Sequence, residues 1–293
     1  MNKKDFLERW FNALEAYDTP REFVSSTYSK KGDIFFGGIN YPVIYTIAPN
    51  NEQRRELMNK QIPYTPKKSV ADYGLRLDIK ECFLCHNIVQ AIDAQEFPSE
   101  IKNNLILKSG ENFVMPNRYP SQAGHSLLIP KNHDDFSNRV IPKIDNNRRK
   151  IYIPEYGKTR GEIITESSLA EILECFDKYN FKALKNHVLD SMSIPGHDHW
   201  HIFLDDSPSL SLLKKLTKDA KKTSFGQSIY LLRNTPFDTL LIKEENPENI
   251  IHPAVKILEK MEKSDEIFTL AYYKGHLLIS PRNSKNLTIL SIK

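Results

Sequence analysis

The chain has 293 residues, 40% of them apolar and 27% charged, which is ordinary for a soluble globular protein with room for a sizeable core. Forty-one Lys+Arg against 37 Asp+Glu leave a net charge of +4. That balance suits a phosphate-bearing ligand and is too weak to argue for nucleic acid. No apolar run reaches membrane-spanning length, the first residues lack a signal-peptide core, and three cysteines make no disulfide framework, so a cytoplasmic protein with reduced thiols is expected.

In chain order, Phe6, Leu7, Trp10, Leu14 and Tyr17 fall at helical spacing over residues 3–17. Residues 20–78 read as irregular, apart from a strand at Val43–Ile47. Residues 78–88 carry Cys82 and Cys85 in a Cys-x-x-Cys spacing. Short strands follow at 104–107 and 112–116, then a turn at Asn117-Arg118-Tyr119-Pro120 and a buried strand, Ser126–Ile129, stopped by Pro130. Residues 134–165 read as one long polar connection rich in Lys and Arg. Ser168-Leu169-Ala170-Glu171 resembles a capping box opening a helix with Leu169, Ile172, Leu173 and Phe176 inward and Cys175 as a core thiol. Strands near 185–192 and 197–204 flank a turn at Ser193–Gly196. The last third predicts strands at 228–232 and 239–242, an amphipathic helix at 248–263, and a hairpin of 268–272 with 276–280 around Lys274-Gly275. Asn234-Thr235-Pro236-Phe237 before Leu240-Leu241-Ile242 echoes Asn117-Arg118-Tyr119-Pro120 before Leu127-Leu128-Ile129. The echo suggests two related halves, the second without its histidines.

The chemistry concentrates in His197-Asp198-His199-Trp200-His201. Alternate residues of a strand share a face, so the three imidazoles point one way, about 7 Å apart. Such a row suits metal ligation or phosphoryl chemistry. An imidazole nitrogen can attack phosphorus and form a phosphoramidate, while its neighbours hydrogen-bond the phosphoryl oxygens. Cys82 and Cys85 could converge on one tetrahedral zinc, with His86, His125, His133 and His197 as candidate partners by composition. A thioredoxin-like redox pair is the rival, but a strand followed by a helix opening at the cysteines is not legible here.

These segments resemble the histidine-triad (HIT) superfamily, and specifically its galactose-1-phosphate uridylyltransferase-like (GalT-like) branch, which includes diadenosine tetraphosphate and GDP-sugar phosphorylases. Glu81–Cys85, Asn117–Pro120 with Gly124–His133, and Ser193–His201 carry the likeness, and Asn234–Asp238 with Gly275–Arg282 resemble a degenerate second half. The resemblance implies an α+β fold of two related half-domains with antiparallel sheet and packed helices. It divides the chain into an N-terminal helix and irregular segment at 1–78, a catalytic half at 79–212 and a degenerate half at 213–293.

It also implies roles. His199 would be the nucleophile and His201 its catalytic neighbour. Asn117, Arg118, Lys131 and Ser193 would bind substrate. Cys82, Cys85, His133 and His197 would hold a structural Zn2+. The implied activity is a nucleotidyltransferase or phosphorylase acting on a nucleoside diphosphate-sugar or dinucleoside polyphosphate. His201 stands where that branch usually has Gln, which keeps a HIT-type hydrolase as the alternative and a non-catalytic nucleotide-binding module behind it. The expected partner is a nucleotide or nucleotide-sugar substrate, with no nucleic acid and no membrane, and a homodimer is allowed for.

Overall fold

The computed structural model describes residues 1–17, 28–36, 39–47, 64–68, 70–73, 83–118, 120, 123–131, 140–144, 150–154, 164–186, 199–204, 228–232, 239–263 and 268–281. The chain divides into two compact units, one of residues 1–30, 45–159 and 193–202, the other of 31–44, 160–192 and 203–293. Among the described residues no helix is long and apolar enough to cross a membrane.

The first unit opens with α1 (Lys3–Glu15), capped by the Asn2 side chain accepting from the Asp5 amide at 2.9 Å. Phe6, Trp10, Ala13 and Leu14 are its buried stripe. Next comes α2 (Phe83–Glu96), a helix that the sequence analysis did not place. It begins at Phe83, inside the Cys-x-x-Cys spacing, and carries Cys85 in its first turn. The strands β3 (Leu107–Ser109), β4 (Asn112–Pro116) and β5 (Ser126–Pro130) follow as an antiparallel run, and β9 (Trp200–Leu204) pairs antiparallel with β5.

On one face of this run Phe113, Met115, Leu127 and Ile129 pack against Leu84, Cys85, Ile88 and Val89 of α2. The fully buried Asp93 of α2 accepts hydrogen bonds from the Tyr64 and Tyr73 hydroxyls at 2.8 Å each and from the Lys67 amide at 3.1 Å. Burial and this carboxylate push the Tyr73 hydroxyl up to about 12. Part of the stretch read as irregular is thereby clasped to the helix. A second miss lies in the long polar connection. It contains the antiparallel pair β6 (Val140–Ile144) and β7 (Lys150–Pro154). Earlier in the chain β1 (Tyr28–Phe36) and β2 (Ile39–Ile47) pair with each other, where only 43–47 was expected as strand.

The second unit carries α3 (Glu166–Tyr179) and α4 (Glu248–Lys263) with the strand order β10 (Ile229–Leu232), β11 (Thr239–Lys243), β13 (His276–Pro281), β12 (Phe268–Tyr273), β8 (Phe181–Asn186). The capping box of α3 sits one turn earlier than read. Thr165 is the cap and Ser168 its reciprocal partner, with Thr165 Oγ1 accepting from the Ser168 amide at 3.1 Å. Leu169, Ile172, Leu173, Cys175 and Phe176 are buried, as the periodicity requires. The helix stops at Asn180, left-handed at φ 57°. The β12–β13 turn places Lys274 at φ 41° and Gly275 at φ 71°, the left-handed pair that suits a two-residue hairpin. A Cβ on Gly275 would stand 2.0 Å from the Glu244 carbonyl oxygen, which is why glycine occupies the turn. The two echoed segments, around 117–120 and 234–237, each fall between antiparallel neighbours, β4–β5 and β10–β11.

Candidate functional site

The strand register brings together residues far apart in sequence. Met115 lies opposite Leu127 and Pro116 opposite Ser126, while Leu127 lies opposite His201. Residues directly opposite share a face, and alternate residues along each strand return to it. Asn117 and His125, one step past the ladder, therefore share the face of Met115, Leu127, His201 and His199. Backbone bonds fix this step. The Asn117 amide donates to the His125 carbonyl at 3.0 Å, and the Trp10 indole donates to the same oxygen at 3.0 Å. The helix α1 is thus tied to the strand end that carries His125.

The side chains meet accordingly. His125 Nε2 lies 3.0 Å from His201 Nδ1 and 3.3 Å from Asn117 Nδ2. The rings of His199 and His201 stand edge-on with centroids 5.3 Å apart, as do the centroids of His125 and His201. The apolar run of Leu127 and Ile129 continues this face, so the imidazoles adjoin low-dielectric packing. Burial, and then the neighbouring His199, hold His201 down to about 4 from its ordinary 6.5. At neutral pH His201 is an uncharged imidazole. His199 is the most enclosed of the cluster at 2% exposure; His125 has 6%, and Asn117, Arg118 and His201 are half-buried.

Of the residues expected to bind substrate, Asn117 joins the histidine cluster. Arg118 follows it in sequence, and its charge acts on the buried Tyr17 hydroxyl. Lys131 is held by Glu111 instead, through an ion pair of 3.5 Å and a backbone bond of 2.7 Å, at the other end of the β4–β5 hairpin. Ser193, Cys82, His133 and His197 lie outside the described residues. From its sequence His125 is a candidate metal ligand; in the structure its ring is hydrogen-bonded to His201. Its position in the Gly-His-Ser-Leu strand, two residues before Leu127, was the available signal.

For the expected zinc, the described part of the ligand set is Cys85, fully buried in the first turn of α2. One residue on, His86 Nδ1 donates to the Tyr64 carbonyl at 2.9 Å, and His86 Nε2 is buried with no hydrogen-bond partner among the described residues. A ring N–H given to a backbone carbonyl is an arrangement that metal-binding histidines also use. Among the described residues no group of three His, Cys, Asp or Glu side chains could hold one.

No protein-family model and no curated protein matches the sequence. Solved structures do. Yeast Ap4A phosphorylase Apa2 in complex with AMP is similar at a TM-score of 0.52 and 12% identity, covering 96% of this chain and 79% of that one. Apa2 in a second crystal structure gives 0.51, 12%, 96% and 78%, and Apa2 in complex with Ap4A gives 0.51, 11%, 96% and 80%. The chain has the α+β fold of antiparallel strands and packed helices seen in Apa2, a HIT/GalT-like fold.

Proposed function

We propose that this chain transfers nucleotidyl groups, as a nucleotidyltransferase or phosphorylase acting on a nucleoside diphosphate-sugar or a dinucleoside polyphosphate, with His199 as the nucleophile. The observation that carries the reading is the convergence of His199, His201, His125 and Asn117 on one strand face, supported by a fold shared with a phosphorylase solved with AMP and with Ap4A.

The chemistry is two displacements. A ring nitrogen of His199 attacks the α-phosphorus, a P–N bond forms, and the P–O bond to the departing sugar phosphate or nucleoside polyphosphate breaks. An acceptor oxygen then attacks the same phosphorus and the P–N bond breaks, restoring the ring. His201, neutral at pH 7, stands beside the reacting ring to exchange a hydrogen bond or a proton. Arg118 and Ser193 are the further candidates for holding phosphate; Lys131, paired with Glu111 at the far end of the β4–β5 hairpin, is not. At 2% exposure His199 is reached only if nucleotide binding opens a path to it, so affinity and reactivity are coupled. Cys82, Cys85, His133 and His197 would hold zinc, which filled by four protein ligands would brace the fold and leave no open position for water.

The second reading, a hydrolase of the same fold, is favoured by a histidine at position 201. A non-catalytic nucleotide-binding module is favoured by the enclosure of His199. Incubation with labelled nucleotides and separate acceptors divides them. Label on the protein, with turnover only when phosphate or sugar phosphate is added, supports the transferase. Turnover in water alone indicates the hydrolase, and binding without label indicates the module.

A further inference from the structure

We infer that Trp10 is a positioning residue for the histidine cluster: its indole N–H, bonded to the His125 carbonyl, holds the His125 ring against His201 and makes α1 part of the site. As a statement about catalysis the inference rests on the nucleotidyl-transfer reading; as a statement about geometry it does not. The buried stripe of α1 is Phe6, Trp10, Ala13 and Leu14. Packing alone would be served by any large apolar side chain among them. Of these four only Trp10 brings a polar side-chain atom, and a buried indole N–H needs an acceptor. The acceptor lies 115 residues away, the His125 carbonyl at 3.0 Å.

That oxygen also accepts from the Asn117 amide at 3.0 Å, and the two lone pairs of a carbonyl accommodate both donors. The second donor acts where it is needed. The β4–β5 ladder ends with Pro116 opposite Ser126, and Asn117 and His125 lie one step beyond, where a sheet opens most easily. Tyr17, just past α1, steadies the same end. Its hydroxyl donates to Met115 Sδ at 3.8 Å and accepts from Asn104 Nδ2 at 3.2 Å, and Met115 lies opposite Leu127, which lies opposite His201. From the carbonyl to the chemistry is a short path. The carbonyl and the ring of His125 branch from one Cα, the ring's Nε2 is 3.0 Å from His201 Nδ1, and the His201 and His199 rings are 5.3 Å apart. A hydrogen bond of 3.0 Å is lost once its partners separate by roughly half an ångström more. Displacing a reacting group by about 1 Å costs on the order of 100-fold in rate. The pin sets orientation without touching substrate, so its loss falls on kcat.

The test compares two variants of one stripe. Trp10→Phe keeps an aromatic ring and removes the donor; Leu14→Ala removes packing and leaves the indole bond in place. In 1H–13C spectra of the imidazoles, on the full chain without substrate at pH 7, Trp10→Phe should shift the ring signals of His125 and His201, and Leu14→Ala should leave them where they are. In turnover assays Trp10→Phe should lower kcat at least about tenfold with KM within about twofold, while Leu14→Ala stays within about twofold of wild type in both. In the wild type the Trp10 indole proton should exchange with solvent at least about 100-fold more slowly than a free indole, a measurement that needs no variant to fold. Exchange at the free rate, ring signals unmoved in Trp10→Phe, or equal shifts in both variants overturns the inference. So does a Trp10→Phe protein with shifted rings and wild-type kcat. Shifted rings in a protein whose wild type turns over no nucleotide sink the functional reading and leave the positioning intact, so the two failures are told apart.

Discussion

Acid should weaken the first unit through His201 in particular. The ring's pKa is about 4 in the fold against an ordinary 6.5, so between those values the unfolded chain binds the proton that the folded one refuses. Stability is then complete above about pH 6.5 and is lost as pH falls toward 4, the sign expected of a histidine buried neutral. Integrating the two binding curves gives a loss of about 2 kcal/mol between pH 7 and pH 5, approaching about 3 kcal/mol below pH 4. The perturbation is His201→Gln, which keeps an amide to meet His125 and removes the titration. Urea unfolding of both proteins at pH 7 and pH 5 cancels the other titrating groups. The wild type should lose about 2 kcal/mol more than the variant over that interval. Equal losses, or a His201 ring that titrates near 6.5 by NMR, would refute the argument that packing beside Leu127 and His199 keeps it uncharged.

Three other outcomes are expected. His199→Ala should abolish turnover while leaving the fold intact by circular dichroism; normal turnover would remove its assigned role. Cys82→Ser should lower zinc content by elemental analysis together with thermal stability, and an unchanged metal content would count against the cysteine site. Gly275→Ala forces a Cβ to 2.0 Å from the Glu244 carbonyl oxygen at φ 71°, so the second unit should lose at least about 2 kcal/mol in denaturant titration. A loss within error would mean that the β12–β13 turn relaxes freely.

Much of the fold was legible because period and burial agree. The helix at 248–263 coincides with α4, and the inward set Ile251, Val255, Leu258 and Met261 is buried. The Lys274-Gly275 hairpin announced itself through turn chemistry. The alternation of His199 and His201 did place their rings on one face, 5.3 Å apart. What escaped was set by contacts distant in sequence. The helix α2 was hidden because Leu84, Cys85, Ile88 and Val89 read as a mere apolar run until Phe113 and Leu127 supply the surface they pack on. The β6–β7 pair was hidden because its residues are interspersed with charge and proline. The shift from Ser168 to Thr165 is a choice between two hydroxyls three residues apart, made by backbone geometry. The Asn117–His125–His201 chain depends on register across β4, β5 and β9, which no local pattern specifies.

Peptide mapping by mass spectrometry after a brief reaction with a dinucleoside polyphosphate or nucleotide sugar, quenched in alkali to preserve an acid-labile P–N bond, asks the central question most directly. The account predicts a peptide containing residues 199–201 heavier by one nucleoside monophosphate, with the mass on His199 and absent from His199→Ala. Substrate consumed with that peptide unmodified, or the adduct found on a different side chain, would contradict it.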